Sequence, residues 1–152
     1  MSVRESLIES LLCLVVDDDS HQLGVLKAGL MALGIKEILT ASNGSEAFDI
    51  LSKSKRPVDL VLSDIHLPTG NGLQLLHALR TGLIKGMRIN STFILTTSTP
   101  TAEAVKTASS LDANGFVVKP VVPDKLEAAI LKARRTVFPA VPARYASIPV
   151  PT

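Results

Sequence analysis

The chain has 152 residues, enough for one domain with a single sizeable core. Its 16 basic and 14 acidic residues nearly cancel, aromatic content is 3%, and Trp is absent. That excludes the charge field and the stacking surface of a nucleic-acid binder, and gives no reason to expect a membrane-surface protein.

Cys13 is the only cysteine and lies in an apolar run, so it suits a small buried hydrophobe and cannot form an internal disulfide. Residues 2–10 are polar and mixed and read as a helical turn leading in. Residues 11–16 read as a first buried strand that ends in Asp17, Asp18 and Asp19. That run is too short for a signal peptide and leads into acids, and no stretch has the length of a membrane span; a reducing, cytoplasmic setting is expected. Ser20 is placed to cap a helix in which Leu23, Leu26, Leu30 and Leu33 recur, closed by Gly34. Residues 35–41 form a second short strand, and Asn43-Gly44 reads as a turn. Ala47, Phe48 and Leu51 then mark an amphipathic helix stopped before Pro57.

The stretch 59–72, D-L-V-L-S-D-I-H-L-P-T-G-N-G, organises the rest. Val58, Leu60, Val61 and Leu62 suit a strand buried on both faces. Asp64 arrives where that strand ends, and Pro68, Gly70, Asn71 and Gly72 prevent its continuation. Residues 73–83 carry a third helical pattern, and residues 92–96 a fourth strand giving way to Thr97, Ser98 and Thr99. The helix over 101–110 has a thin apolar face, mainly Val105 and Ala108, which makes it a loosely packed element and a candidate mover. Residues 115–118 form a fifth strand ending at Lys119-Pro120. The last helix starts at Asp124 with Leu126, Ile130, Ala133 and Val137 on one face. Beyond Arg135, Pro139, Pro142, Pro149 and Pro151 are expected to break any further element, the extension either docking across a face of the domain or remaining disordered. The chain thus divides into a lead-in (1–10), a domain (11–135) and a proline-rich tail (136–152). Five alternations of strand and helix predict a three-layer α/β sandwich around a parallel sheet.

In an open parallel sheet the carboxyl ends of the strands share one rim, where ligands bind. Asp17, Asp18, Asp64, Thr97, Ser98 and Lys119 all fall on it. Each alone has a plain explanation as a solvated acid, a strand-end hydroxyl or a surface lysine. Gathered carboxylates repel one another, and a hard divalent cation such as Mg2+ removes that cost. The set supports phosphoryl transfer: Asp64 as nucleophile, a metal and Lys119 on phosphoryl oxygens, and a hydrogen bond from Thr97.

Over residues 11–135 the chain resembles the receiver domain of bacterial two-component response regulators. The resemblance rests on V-V-D-D, D-I-H-L-P-T-G-N-G, I-L-T-T-S and G-F-V-V-K-P in that order, at successive strand ends. It implies a flavodoxin-like (βα)5 fold with five parallel strands and Asp64 as phosphoacceptor. It further implies magnesium bound directly by Asp18, Asp64 and the His66 backbone carbonyl, with Asp17 acting through metal-bound water. Thr97 and Phe116 match the switch pair, Thr97 and Ser98 the phosphate-binding hydroxyls, and Lys119 the phosphate-binding lysine. The Lys119–Pro120 bond is expected to be cis. The donor implied is a phosphohistidine on a sensor histidine kinase or phosphotransfer protein. Output is then by protein contact, including a homodimer through the face built by the fourth helix, fifth strand and fifth helix. A signalling switch, not an enzyme in the ordinary sense, is the expected class.

The chain departs from the pattern at several positions. Leu67 stands where Met is common, Phe116 where Tyr is, and Asp112 replaces a frequent glycine, which bears on the geometry of that turn. Asp19 reads as a solvated loop acid. His21 and His77 read as surface or packing residues. His66 and Thr99 sit two residues past Asp64 and Thr97; His66 is either a rim residue or a bulky group hindering the water that would remove the phosphoryl group. Three rivals remain. A receiver cut from a longer regulator would carry the same site. An aspartyl-nucleophile phosphohydrolase wants an Asp where His66 stands. A flavin-binding module wants a Ser/Thr/Gly loop after the first strand, where this chain has acids.

Overall fold

The structure is a computed structural model and describes residues 8–139 and 141–152. The lead-in turn expected over residues 2–10 falls mostly outside them. Strands β1 (Leu12–Val16), β2 (Glu37–Ala41), β3 (Leu60–Asp64), β4 (Thr92–Thr97) and β5 (Gly115–Val118) form one sheet in the order β2-β1-β3-β4-β5. All four pairings are parallel. The connecting helices are α1 (Ser20–Ala32), α2 (Gly44–Lys53), α3 (Gly72–Arg80) and α4 (Ala102–Ser110), with α5 (Pro123–Arg135) after β5 and a short α6 (Pro142–Ala146) beyond it.

Side chains alternate across a strand, so a strand buried on both faces feeds two cores. Leu12, Leu14 and Val16 of β1 join Val61, Phe93 and Leu95 against Leu51 of α2 and Leu73, Leu76 and Leu79 of α3. Cys13 and Val15 join Leu60, Leu62 and Ile94 against Leu26 and Leu30 of α1 and Leu126 and Ile130 of α5. The predicted three-layer sandwich is the observed fold. Cys13 is fully buried, and burial pushes its thiol pKa up to about 12, as suits a packing residue.

Helix starts differ from the sequence expectation. Asp19, not Ser20, caps α1, its carboxylate accepting from the His21 and Gln22 N–H groups. Asn43 caps α2 by accepting from Glu46 N–H, so the expected Asn43-Gly44 turn is the first turn of a helix. Two contacts hold the segment after β3 in place by backbone alone. A Cβ on Gly72 would lie 2.3 Å from the Asp64 carbonyl oxygen, and one on Gly44 would lie 2.0 Å from that of Gly70. Both positions admit hydrogen only. Asp112, at the turn after α4, adopts φ +52°, a left-handed conformation that Asp tolerates better than most residues.

The fourth helix is thinly attached, as expected, and through Ala108, but not through Val105. Val105 is 44% exposed, while Thr107 and Ala108 are the buried residues of α4. Val137 lies past the end of α5 and is exposed.

The tail overturns the expectation that its prolines would break all further structure. Pro142 occupies the first turn of α6, where no intrahelical N–H is required. Tyr145 is 1% exposed in the core beside α3, and Ile148 and Val150 pack against the same cluster. Its hydroxyl donates to Asp112 Oδ2 at 2.8 Å, and Arg144 pairs with the same carboxylate. Further on, Asn71 Nδ2 donates to the Pro151 carbonyl at 2.7 Å. The segment therefore runs along the groove between α3 and α4.

Arg80 is the largest fully buried side chain. Its guanidinium donates to the carbonyls of Leu111 (3.1 Å), Ile89 (2.5 Å), Ser91 (2.9 Å) and Asp112 (2.7 Å), and to Asn114 Oδ1 (3.0 Å). Burial lowers its pKa to about 10, which leaves it charged at neutral pH. It fastens the end of α3 to the turns flanking β4 and β5. Arg80→Met, which fills similar volume but leaves those acceptors unpaired, should destabilise the fold by roughly 3–5 kcal/mol in urea denaturation. A change within 1 kcal/mol, by the same scale about one ordinary hydrogen bond, would contradict this role.

Candidate functional site

Each site residue is delivered by the end of a strand. Asp17 and Asp18 follow β1, Asp64 ends β3, Thr97 ends β4, and Lys119 follows β5. Backbone bonds carry the sheet to its rim: Asp17 N–H donates to Ala41 O (3.1 Å), Ile65 N–H to Thr96 O (3.0 Å) and Lys119 N–H to Thr97 O (2.8 Å). The rim opens on a cleft of about 530 Å³ lined by Asp17, Asp18, Asp64, His66, Ser98 and Lys119, among others.

Carboxylate oxygens of Asp17, Asp18 and Asp64 all lie within 4.8 Å of one another. Asp17 and Asp64 are buried, and Asp18 is exposed at the mouth. Lys119 Nζ reaches Asp17 Oδ2 at 2.7 Å and Asp64 Oδ2 at 2.8 Å, so one ammonium bridges both buried acids. Burial alone would lower the Lys119 pKa, but hydrogen bonds and charge contacts with Asp17 and Asp64 outweigh it, and the net shift is upward. Asp64 Oδ1 accepts from His66 N–H at 3.1 Å, and Asp17 Oδ1 from Asp19 N–H at 3.0 Å. Three clustered hard oxygen donors with one exposed edge fit a divalent cation that retains water, such as magnesium.

Thr97 is fully buried, and its Oγ1 accepts from Thr99 N–H at 3.1 Å. Ser98, not Thr97, contributes to the cleft wall. The exposed His66 ring reaches over to β4's loop, Nε2 lying 3.2 Å from Thr99 Oγ1. Phe116 is half-buried against the α2–α3 core, one strand out from Thr97. The Lys119–Pro120 bond is cis. Asp19, expected to be a mere solvated acid, has a structural task as the α1 cap.

A cleft of this composition, at the carboxyl ends of a five-stranded parallel sheet, is suited to phosphoryl chemistry at a carboxylate. The chain belongs to the response regulator receiver domain family, which it matches over residues 13–131. It is 32% identical over 125 residues to a probable chemotaxis protein CheY from Rhizobium etli, covering 82% of this chain and 93% of that protein. To a CheY homologue from Campylobacter jejuni it is 34% identical over 114 residues, covering 75% and 85% respectively. Among solved structures, a response regulator receiver domain protein from Clostridium thermocellum superposes with a TM-score of 0.70 at 27% identity, over 82% of this chain and 94% of that one. The receiver domain of a Pseudomonas aeruginosa sensor histidine kinase has the same fold, with a TM-score of 0.70 at 18% identity over 83% and 98% of the two chains. That protein holds a magnesium ion in its active-site cleft. The chain is thus a receiver of two-component signal transduction. Among the described residues, no helix is long and apolar enough to cross a membrane.

The raised Lys119 pKa has a pH signature. Stability gained from its bridge is fully present below the ordinary lysine value of 10.5 and is lost as pH rises through the higher folded-state value. The difference in melting temperature between the wild type and Lys119→Met should hold steady from neutral pH to about pH 10 and narrow only above it. A difference that vanishes already below pH 9, where an ordinary lysine is still about 95% charged, would show that the bridge is not what the ammonium contributes.

Proposed function

We propose that Asp64 is the phosphoacceptor of this receiver, taking a phosphoryl group from a phosphohistidine on a sensor kinase or phosphotransfer protein. The observation that carries the reading is the meeting of Asp17, Asp18 and Asp64 within 4.8 Å with Lys119 bridging two of them. A carboxylate oxygen of Asp64 attacks phosphorus, the phosphorus–nitrogen bond to the donor imidazole breaks, and the released ring nitrogen takes up a proton. Asp17, Asp18, Asp64 and the His66 carbonyl would hold magnesium, which when bound offsets the charge of the phosphoryl oxygens. Lys119 is already 2.8 Å from Asp64 and stays beside any group added there. Ser98 stands on the cleft wall. The Thr97 hydroxyl only accepts a bond from Thr99 N–H, so its proton is available to a phosphoryl oxygen.

Drawing Thr97 toward Asp64 gives the switch: Phe116, only half-buried on the neighbouring strand, repacks as β4's loop moves. The surface this alters runs over α4, β5 and α5, where Val105, Val118 and Val122 are 44%, 38% and 51% exposed. A protein partner or a second copy would bind there. Catalysis in this reading is limited to self-phosphorylation from the donor and loss of the phosphoryl group to water. The phosphohydrolase alternative lacks its second acid, since the position two residues past Asp64 is His66.

Labelling with acetyl phosphate and magnesium should give one acyl phosphate on the wild type and none on Asp64→Asn; incorporation that survives in the variant would move the acceptor elsewhere. His66 stands on the cleft wall in contact with Thr99, where its ring would hinder water approaching the acyl phosphate. His66→Ala should lose its phosphoryl group about 5- to 30-fold faster, an effect of roughly 1–2 kcal/mol on the barrier. An unchanged rate would make His66 a bystander.

A further inference from the structure

The segment 141–152 is fastened at both ends to parts of the domain that the switch should displace. At one end, Tyr145 and Arg144 grip the carboxylate of Asp112, in the turn directly after α4. At the other, the Pro151 carbonyl accepts from Asn71, the residue that caps α3 just past the acceptor loop. Between them Ile148 and Val150 pack into the α3–α4 groove, and the segment shares a cavity of about 370 Å³ with Glu103, Lys106 and Thr107 of α4. Pro151 and Thr152 also wall a second cavity, of about 470 Å³, whose other sides include His66, Leu67 and Thr101. One strap therefore spans the acceptor loop, the start of α4 and its end.

Arg80 and the buried Leu111 anchor the end of the fourth helix, but its body has little else to hold it. It buries Thr107 and Ala108, whereas α3 buries Leu73, Leu75, Leu76 and Leu79 among others. Its start is linked to the site through a short chain of contacts. Thr101 caps the helix, Thr99 bonds both Thr97 and His66, and His66 N–H bonds Asp64. Any shift of Thr97 toward Asp64 must pull on this chain, and with it on the position of α4 relative to α3. A strap seated on both helices fits one relative position better than another.

We propose that residues 141–152 act as an intramolecular clamp that holds α4 in its unphosphorylated position and loosens when Asp64 is phosphorylated. The proposal rests on the assignment of Asp64 as acceptor. Coupling of this kind is reciprocal. If phosphorylation weakens docking of the strap, weakening the strap favours phosphorylation by the same factor. The strap would then set how much phosphodonor is needed to expose the altered face of α4.

The test uses the full chain with magnesium and acetyl phosphate, following acylation by intact mass and amide exchange by mass spectrometry. In acylated protein, exchange of the amides in residues 144–151 should rise about fivefold or more, the lower end of ordinary allosteric coupling. In parallel, the double substitution Ile148→Ser with Val150→Ser removes the apolar seat of the strap but keeps Tyr145. The fraction of this variant acylated at limiting acetyl phosphate should increase by a similar factor. Acylation without any change of exchange in this segment would overturn the clamp and leave Asp64 as acceptor. Absence of acylation would overturn the acceptor assignment, and the clamp with it. Should the double variant fail to fold, the exchange measurement on the wild type still decides.

Discussion

Everything at the carboxyl rim of this sheet depends on one ammonium group between two buried acids. Parallel strands force it: the order β2-β1-β3-β4-β5 places the ends of β1 and β3 side by side, with Asp17 directly after β1 and Asp64 closing β3. Two like charges within 4.8 Å repel by roughly 3 kcal/mol at an effective dielectric constant of about 20. Lys119, arriving from β5, reaches both acids at 2.7 and 2.8 Å and offsets that repulsion. The arrangement ties β5 to the ends of β1 and β3 while leaving Asp18 at the mouth as an exposed third donor. Stability and reactivity therefore draw on the same three side chains.

Much of this was legible in the chain itself because both the sheet and the site follow from strand ends. Short runs of β-branched and aliphatic residues, each stopped by a polar residue and a turn, identify the strands and the rim at the same time. Asp17, Asp18, Asp64, Ser98 and Lys119 meet where that logic puts them. Thr97 is on the correct strand end but buried behind the cleft wall, its hydroxyl accepting from its own loop while its proton stays free. Helix starts were less legible. Asp19 and Ser20 are both good caps, as are Asn43 as turn or cap, and only the backbone path chooses between such neighbours.

What the sequence hid has a common cause: polar groups that are buried because several distant carbonyls need them. Arg80 stands four residues after Leu76 on the apolar stripe of α3, and that spacing was the available signal. It reads by default as a basic residue in a helix's last turn, facing water. The tail was concealed by its prolines, which suggest an absence of structure, whereas here they start α6 and let an extended segment lie in a groove. Asp112 joins the two. It holds a left-handed backbone and offers a carboxylate that Tyr145 and Arg144 use. This turn and the tail belong to one structural device.

Gly44 and Gly72 have a wider mechanical meaning. Because backbone rests on backbone at both points, the floor beneath Asp64 has no side chain to rotate and no slack to take up. In the proposed switch, a displacement at Asp64 would find no give in this floor, and its compliant neighbours would be Thr97, Thr99 and the lightly seated α4. Two missing methyl groups would then help to set the direction in which that displacement travels.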